Sequence, residues 1–219
     1  MSTRAQFQEA LDMLRVDVDA LGLMAHEAVA GSLAALVGDD RSAAGRVVAG
    51  DDRIDALFVA LEERAYAIVA QQAPVAADLR FLMSALRVMA DYEKTGDKAV
   101  AVAKSTLADW YREPITLALL AWMGDLSLAL LDRARRAWLD LDLAAASDLK
   151  LSDDVLDDCY RQLAEHLLEQ QGPGAPSLVL HAHAVGRNIE RIADHAVIVG
   201  ERVVYTLTGD PSALAAEIR

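Results

Sequence analysis

Only one cysteine, Cys159, stands among the 219 residues, so no intrachain disulfide can form and stability has to come from a buried core. Positive charge is also scarce. Twenty-one Lys and Arg face 34 Asp and Glu, and the net charge of −13 repels phosphate backbones and anionic headgroups, so nucleic acid is not an expected partner. The longest apolar run, Ile115 to Met123 with Thr116 inside it, is about half of the roughly 20 residues that cross a bilayer. No apolar segment follows Arg4, and Asp12, Asp17 and Asp19 come soon after, so neither a signal peptide nor a membrane span is expected. The chain has no Walker lysine loop, no dinucleotide glycine fingerprint, no nucleophile–histidine–acid arrangement and no Glu-x-x-His pair. Catalytic turnover is therefore not expected.

What is present is 54% hydrophobic, rich in alanine and leucine, and almost free of strand-type alternation. Proline and glycine gather at a few breaks: Gly38-Asp39-Asp40, Ala73-Pro74, Glu113-Pro114, the Asp140 to Asp142 region, Gly172 to Pro176, and Gly209-Asp210-Pro211. These cut the chain into six long helices and predict an all-α fold of elongated bundles. A repeat is also visible. Gly22, Asp51 and Asp55 correspond to Gly124, Asp153 and Asp157, and Gln71-Gln72-Ala73-Pro74 corresponds to Gln170-Gln171-Gly172-Pro173. Glu93-x-x-x-Asp97-x-Ala99-Val100 likewise corresponds to Glu190-x-x-x-Asp194-x-Ala196-Val197. The common order predicts two tandem three-helix units, 1–112 and 113–219.

Residues four apart on a helix share a face, so Glu93 with Asp97, and Glu190 with Asp194, form like-charged pairs off the apolar stripe. The preceding helices carry matching acids: Asp51 and Asp55, with Glu62 further along the same stripe, and Asp153 and Asp157. If that helix is rotated by one residue, Asp154 and Asp158 replace the latter two. Solvated surface acids are the ordinary reading of one such pair. Antiparallel neighbours would bring the stripes together, and converging carboxylates repel unless a multivalent cation lies between them. Oxygen-only ligation favours Mg, Ca, Mn or Fe without choosing among them. Lys94 and Lys98 stand beside the first pair and are expected to neutralise it, leaving Glu190, Asp194, Asp153 and Asp157 as the better candidate.

The doubled unit, the run Asp78-Leu79-Arg80, Glu93-Lys94-Thr95-Gly96-Asp97 and Glu190-Arg191-Ile192-Ala193-Asp194-His195 together resemble the PhoU family. The second half matches the family's Glu-Arg-Ile-Gly-Asp-His-like hallmark closely, while Lys94, Thr95 and Lys98 depart from it. The resemblance implies a homodimeric, cytoplasmic negative regulator of high-affinity phosphate uptake that links the transporter's ATPase to a phosphate-sensing histidine kinase, reaches the membrane through these partners, and binds metal on its acidic motifs. The rival from another class is a di-metal carboxylate enzyme or an iron store. The missing Glu-x-x-His pairs weigh against it.

Among the remaining candidates, Asp78 is expected to favour the start of the third helix, and His195 to lie at the surface or behind the metal ligands. His181 and His183 are two apart and cannot share a helix face. Cys159 is expected to be a small buried side chain, and Trp122 and Trp138 to pack in the core or between units.

Overall fold

The computed structural model describes residues 3–214, apart from the side chains of Thr3, Ser152 and Asp153. Six long helices are present: α1 (Thr3–Gly38), α2 (Arg41–Gln72), α3 (Ala76–Leu107), α4 (Pro114–Asp140), α6 (Leu149–Leu168) and α7 (Ala175–Thr208). A one-turn helix, α5 (Leu143–Ser147), precedes α6, and a 3₁₀ turn, Pro211–Leu214, follows α7. No strand occurs among the described residues.

The breaks have local causes. Asp40 caps α2 by accepting from the Ala43 amide at 2.9 Å. Ala73 ends α2 in the left-handed region just before Pro74, and Gly209 does the same for α7 with φ 74°. Asp142 caps α5 through the Ala144 and Ala145 amides, both at 3.0 Å. The sequence pattern does not announce the division between α5 and α6, and its reason lies in packing. A Cβ at Gly200 of α7 would stand 2.9 Å from the Ala146 carbonyl oxygen and 2.6 Å from Leu149, so this glycine is where α5 crosses α7.

Helices α1, α2 and α3 pack as one three-helix bundle and α4, α6 and α7 as a second, and α3 with α7 and α1 with α4 join the two. Trp138 of α4 is fully buried in this junction, stacked on Phe81 at 5.5 Å and donating to the Arg15 carbonyl at 3.1 Å. Arg135 of α4 pairs with Asp19 of α1 at 2.6 Å. Cys159 is 1% exposed, as its small side chain suggested. Trp122 departs from its expected packing role: 45% of it is exposed, on the outer face of α4.

By length and composition, α1 and α4 are each apolar enough to cross a membrane, which the short run Ile115–Met123 did not suggest. In the bundle each buries one face and keeps an apolar outer face.

The connection between the bundles is fixed by charge and hydrogen bonds. Arg112 donates to the Leu36 carbonyl at 2.8 Å and the Thr106 carbonyl at 3.1 Å, closing the ends of α1 and α3, and lies over the Trp110 ring. Glu113 caps α4, accepting from the Ile115 amide (3.0 Å), the Thr116 amide (2.6 Å), the Thr116 hydroxyl (2.8 Å) and His166 (3.1 Å). Burial pushes the Glu113 carboxyl up, but these bonds outweigh it and hold its pKa at about 2. A carboxylate whose folded pKa is depressed stabilises the fold above its unfolded value and loses that contribution as pH falls through the folded one. Glu113→Ala is thus expected to cost about 1 kcal/mol at neutral pH, and the gap from wild type to narrow as pH falls from 4.5 to about 2. Urea unfolding of both proteins across that range measures it.

Candidate metal centres on the two acidic clusters

In the first bundle the antiparallel packing of α2 against α3 brings Asp51 and Asp55 toward Glu93 and Asp97. Gly96 permits the approach, since a Cβ there would meet Ile54 at 3.0 Å and the Asp51 carboxylate at 3.5 Å. Burial raises the Glu93 carboxyl first, and the charges of Asp97, Asp55 and Asp51 add to it against Lys94. Asp51 is raised likewise, by burial and then by Asp55 and Asp97. Glu62 does not join them, because eleven residues along a helix is a displacement of about 16 Å. It accepts instead from the Tyr66 hydroxyl at 3.2 Å.

The Lys94 charge opposes the rise at Glu93, but it does so without an ion pair. No ion pair joins Lys94 or Lys98 to Glu93 or Asp97 among the described residues, and the Lys94 ammonium lies 3.7 Å from Asp91. Lys94 and Lys104 thus act on Glu93 and Asp51 through charge.

In the second bundle α6 presents Asp157 to Glu190 and Asp194. Burial raises Glu190, followed by the charges of Asp194 and Asp157. Asp194 is raised by burial foremost, with Asp157 adding and His195 opposing. Of the two registers considered for this helix, the structure turns Asp157 toward the site, while Asp158 pairs with Arg161. The Asp153 side chain lies outside the described residues. One Glu190 oxygen is held by Arg187, and the other, Oε2, is buried with no hydrogen-bond partner.

This donor set fits a hard cation in chemistry: all oxygen, mutually repelling, with one buried oxygen unsatisfied. Among the described residues no three such side chains already stand close enough to enclose an ion, so closure would need side-chain movement. A carboxyl with a raised folded pKa destabilises the fold when ionised, and the cost is relieved as pH falls toward the raised value. The penalty is therefore expected to shrink as pH falls from neutral toward the unfolded values of 4.5 and 3.8, making wild type gain unfolding temperature relative to Glu190→Gln/Asp194→Asn on acidification. Millimolar Ca²⁺ or Mn²⁺ is expected to raise it at about pH 7.5 by the same relief. Scanning calorimetry in matched ionic strength would measure both, and a fall relative to that variant on acidification would count against the repulsion.

His195, expected at the surface or behind the metal ligands, is not at the surface. It is 8% exposed, and its Nδ1 lies 3.1 Å from Oδ1 of Asp91, which is fully buried on α3. The pair crosses the junction between repeats. Sequence reasoning passed over Asp91, although Ser84, Val88, Asp91 and Thr95 follow the 4-3-4 spacing of a core stripe, all of it buried. His181 and His183 do point apart, one stacking on Trp110 and the other reaching the Tyr160 hydroxyl at 3.3 Å. Asp78 sits in the first turn of α3 and pairs with Arg4 at 2.9 Å.

The PhoU domain model matches the chain twice, over residues 18–106 and 120–203, once in each bundle. The chain belongs to the PhoU family. It is 35% identical over 178 residues to "Phosphate-specific transport system accessory protein PhoU homolog 1" of Mycobacterium tuberculosis, covering 80% of each chain. It is 31% identical over 212 residues to the PhoU homolog of Caulobacter vibrioides, covering 95% of this chain and 92% of that one. The crystal structure of PhoU from Pseudomonas aeruginosa superposes with a TM-score of 0.86 at 26% identity, covering 93% of this chain and all of the other. The helical architecture and its doubling are thus those of the family.

Proposed function

We propose that this chain is a regulatory accessory protein of a phosphate-specific transport system: a scaffold without catalytic turnover that restrains high-affinity uptake by bridging the transporter's ATPase and a phosphate-sensing histidine kinase on the cytoplasmic side. The observation that carries the reading is that both repeats match the family and both carry the acidic cluster. The clusters are its metal sites, with Glu190, Asp194 and Asp157, joined by Asp153, holding one ion, and Glu93, Asp97, Asp51 and Asp55 another. Magnesium, manganese, iron and calcium all suit these oxygens. A bound cation would remove the repulsion between α2 and α3, and between α6 and α7, and fix those faces for a partner. Reaching the membrane is left to the partners, in keeping with the repulsion between a net charge of −13 and anionic headgroups.

A host deleted for its own copy of the gene tests this. Wild type is expected to restore repression of phosphate uptake, the Glu190→Gln/Asp194→Asn and Glu93→Gln/Asp97→Asn variants to restore less, and the tagged chain to retain the ATPase and the kinase. Failure of wild type to repress, with neither partner retained, would remove the assignment. Full repression by both variants would remove the metal alone.

Homodimerisation is supported by the outer face of α1. Met13, Val16, Ala20, Leu23, Ala34 and Val37 are all exposed at heptad spacing. Leu23→Glu is expected to halve the mass seen by sedimentation equilibrium. An unchanged mass would exclude this face.

A further inference from the structure

A cleft of about 260 Å³ opens where the two repeats meet, between the start of α1, the start of α3, the end of α4 and the end of α7. Two arginines line it. Arg80 is the one part-buried arginine among the described residues with neither a hydrogen bond nor an ion pair, and its Nε is buried without a partner. Arg15 also has a buried, unpartnered Nε.

The acids of the same cleft are already engaged. Asp78 pairs with Arg4 at 2.9 Å, and Asp12 lies 3.5 Å from Arg15 Nη2. Arg80 is thus the uncompensated charge, a half-buried cation in a chain of net charge −13. Its guanidinium lies against Gly209, where a Cβ would come within 3.3 Å of Cζ. A guanidinium so placed presents a planar fork of donors to two oxygens of one anion. Leu11, Phe81, Leu141 and Leu207 supply apolar walls beside that charge, with Gln8 and Thr206 among the remaining lining residues.

We propose that this cleft binds a small phosphate-class oxyanion, either inorganic phosphate or a phosphomonoester, gripped by Arg80 with Arg15 beside it. The site is independent of the acidic clusters, since Glu93 stands about 20 Å further along α3. An ordinary role competes with it: Arg80 beside the C-terminal end of α7 also complements the helix dipole. Lysine would serve that role nearly as well, but would lose the bidentate grip.

Isothermal titration of the full chain with inorganic phosphate, glycerol phosphate and acetate, at ionic strength held by chloride, tests the proposal. One saturable site per chain is expected, weakened about tenfold or more in both Arg80→Gln and Arg80→Lys, and unchanged in Glu93→Gln/Asp97→Asn. Unfolding temperatures of the variants guard against misfolding, and Arg80→Lys is expected to match wild type. Tighter binding of glycerol phosphate would support the site with a monoester as its ligand, and tighter inorganic phosphate would support it with the free ion. No saturation by either phosphate below about 10 mM would overturn the proposal, as would saturation by acetate alone or wild-type affinity in both Arg80 variants.

Discussion

Replacing Asp91 with alanine is expected to destabilise the chain by about 2–3 kcal/mol, the cost of removing a buried carboxylate and leaving its buried partner unpaired. Asp91 is fully buried on α3. Around it stand His195 Nδ1 of α7 at 3.1 Å, Arg87 Nε at 3.4 Å and Lys94 Nζ at 3.7 Å. Its Oδ2 receives no hydrogen bond and has only the charge of Arg87 for compensation. Without the carboxylate, the His195 imidazole faces α3 unpartnered and a cavity opens in the junction. His195→Ala is expected to cost less, because Arg87 and Lys94 still balance the carboxylate. The double mutant should lose less than the sum of the single losses, as contacting residues do. Urea unfolding of the four proteins gives the cycle. A loss below about 1 kcal/mol for Asp91→Ala would mean that the junction is held by apolar packing alone.

How far the sequence anticipated this molecule depends on whether an interaction lies within one helix or between distant ones. Breaks at Pro74, Pro114 and Gly209 are local, because a ring or a left-handed residue stops a helix regardless of its neighbours, and each falls at a helix end. The acidic pairs were legible for the same reason, since spacing of four fixes a shared face. That Asp51 and Asp55 meet Glu93 and Asp97 followed from antiparallel neighbours in one bundle. The contact of His195 with Asp91 spans 104 positions and depends on how one bundle is laid against the other, which periodicity does not encode. Arg80 is similar. It looked like part of a helix-starting run, and only the return of α7 to Gly209 closes the cleft around it. Lys94 divides its effect, approaching Asp91 most closely while its charge still opposes the rise at Glu93.

The repeated glycines Gly22 and Gly124 give the other large effect, because equivalent positions have met different surroundings. Both lie where α1 and α4 approach each other. A Cβ at Gly22 would stand 2.7 Å from Cζ and 2.8 Å from Cε2 of Tyr92, and 3.0 Å from Arg135. At Gly124 the nearest atoms would be the two Leu33 methyls, at 2.8 and 2.9 Å, and its Cγ at 3.3 Å. Tyr92 is fully buried, with its phenol pKa pushed far up by burial and then by Asp19, so its ring has no space to enter; Arg135 is held by Asp19 at 2.6 Å. Leu33 can change rotamer. Gly22→Val is therefore expected to cost about 3 kcal/mol through overpacking. Gly124→Ala should change stability by less than about 1 kcal/mol, because the gain in helix propensity offsets the displacement of Leu33. If thermal unfolding put the two substitutions in the reverse order, the α1–α4 junction would have to be held more loosely at Tyr92 than at Leu33, and the buried stack of Trp138 on Phe81 would then be the part of the junction that fixes the bundles' approach.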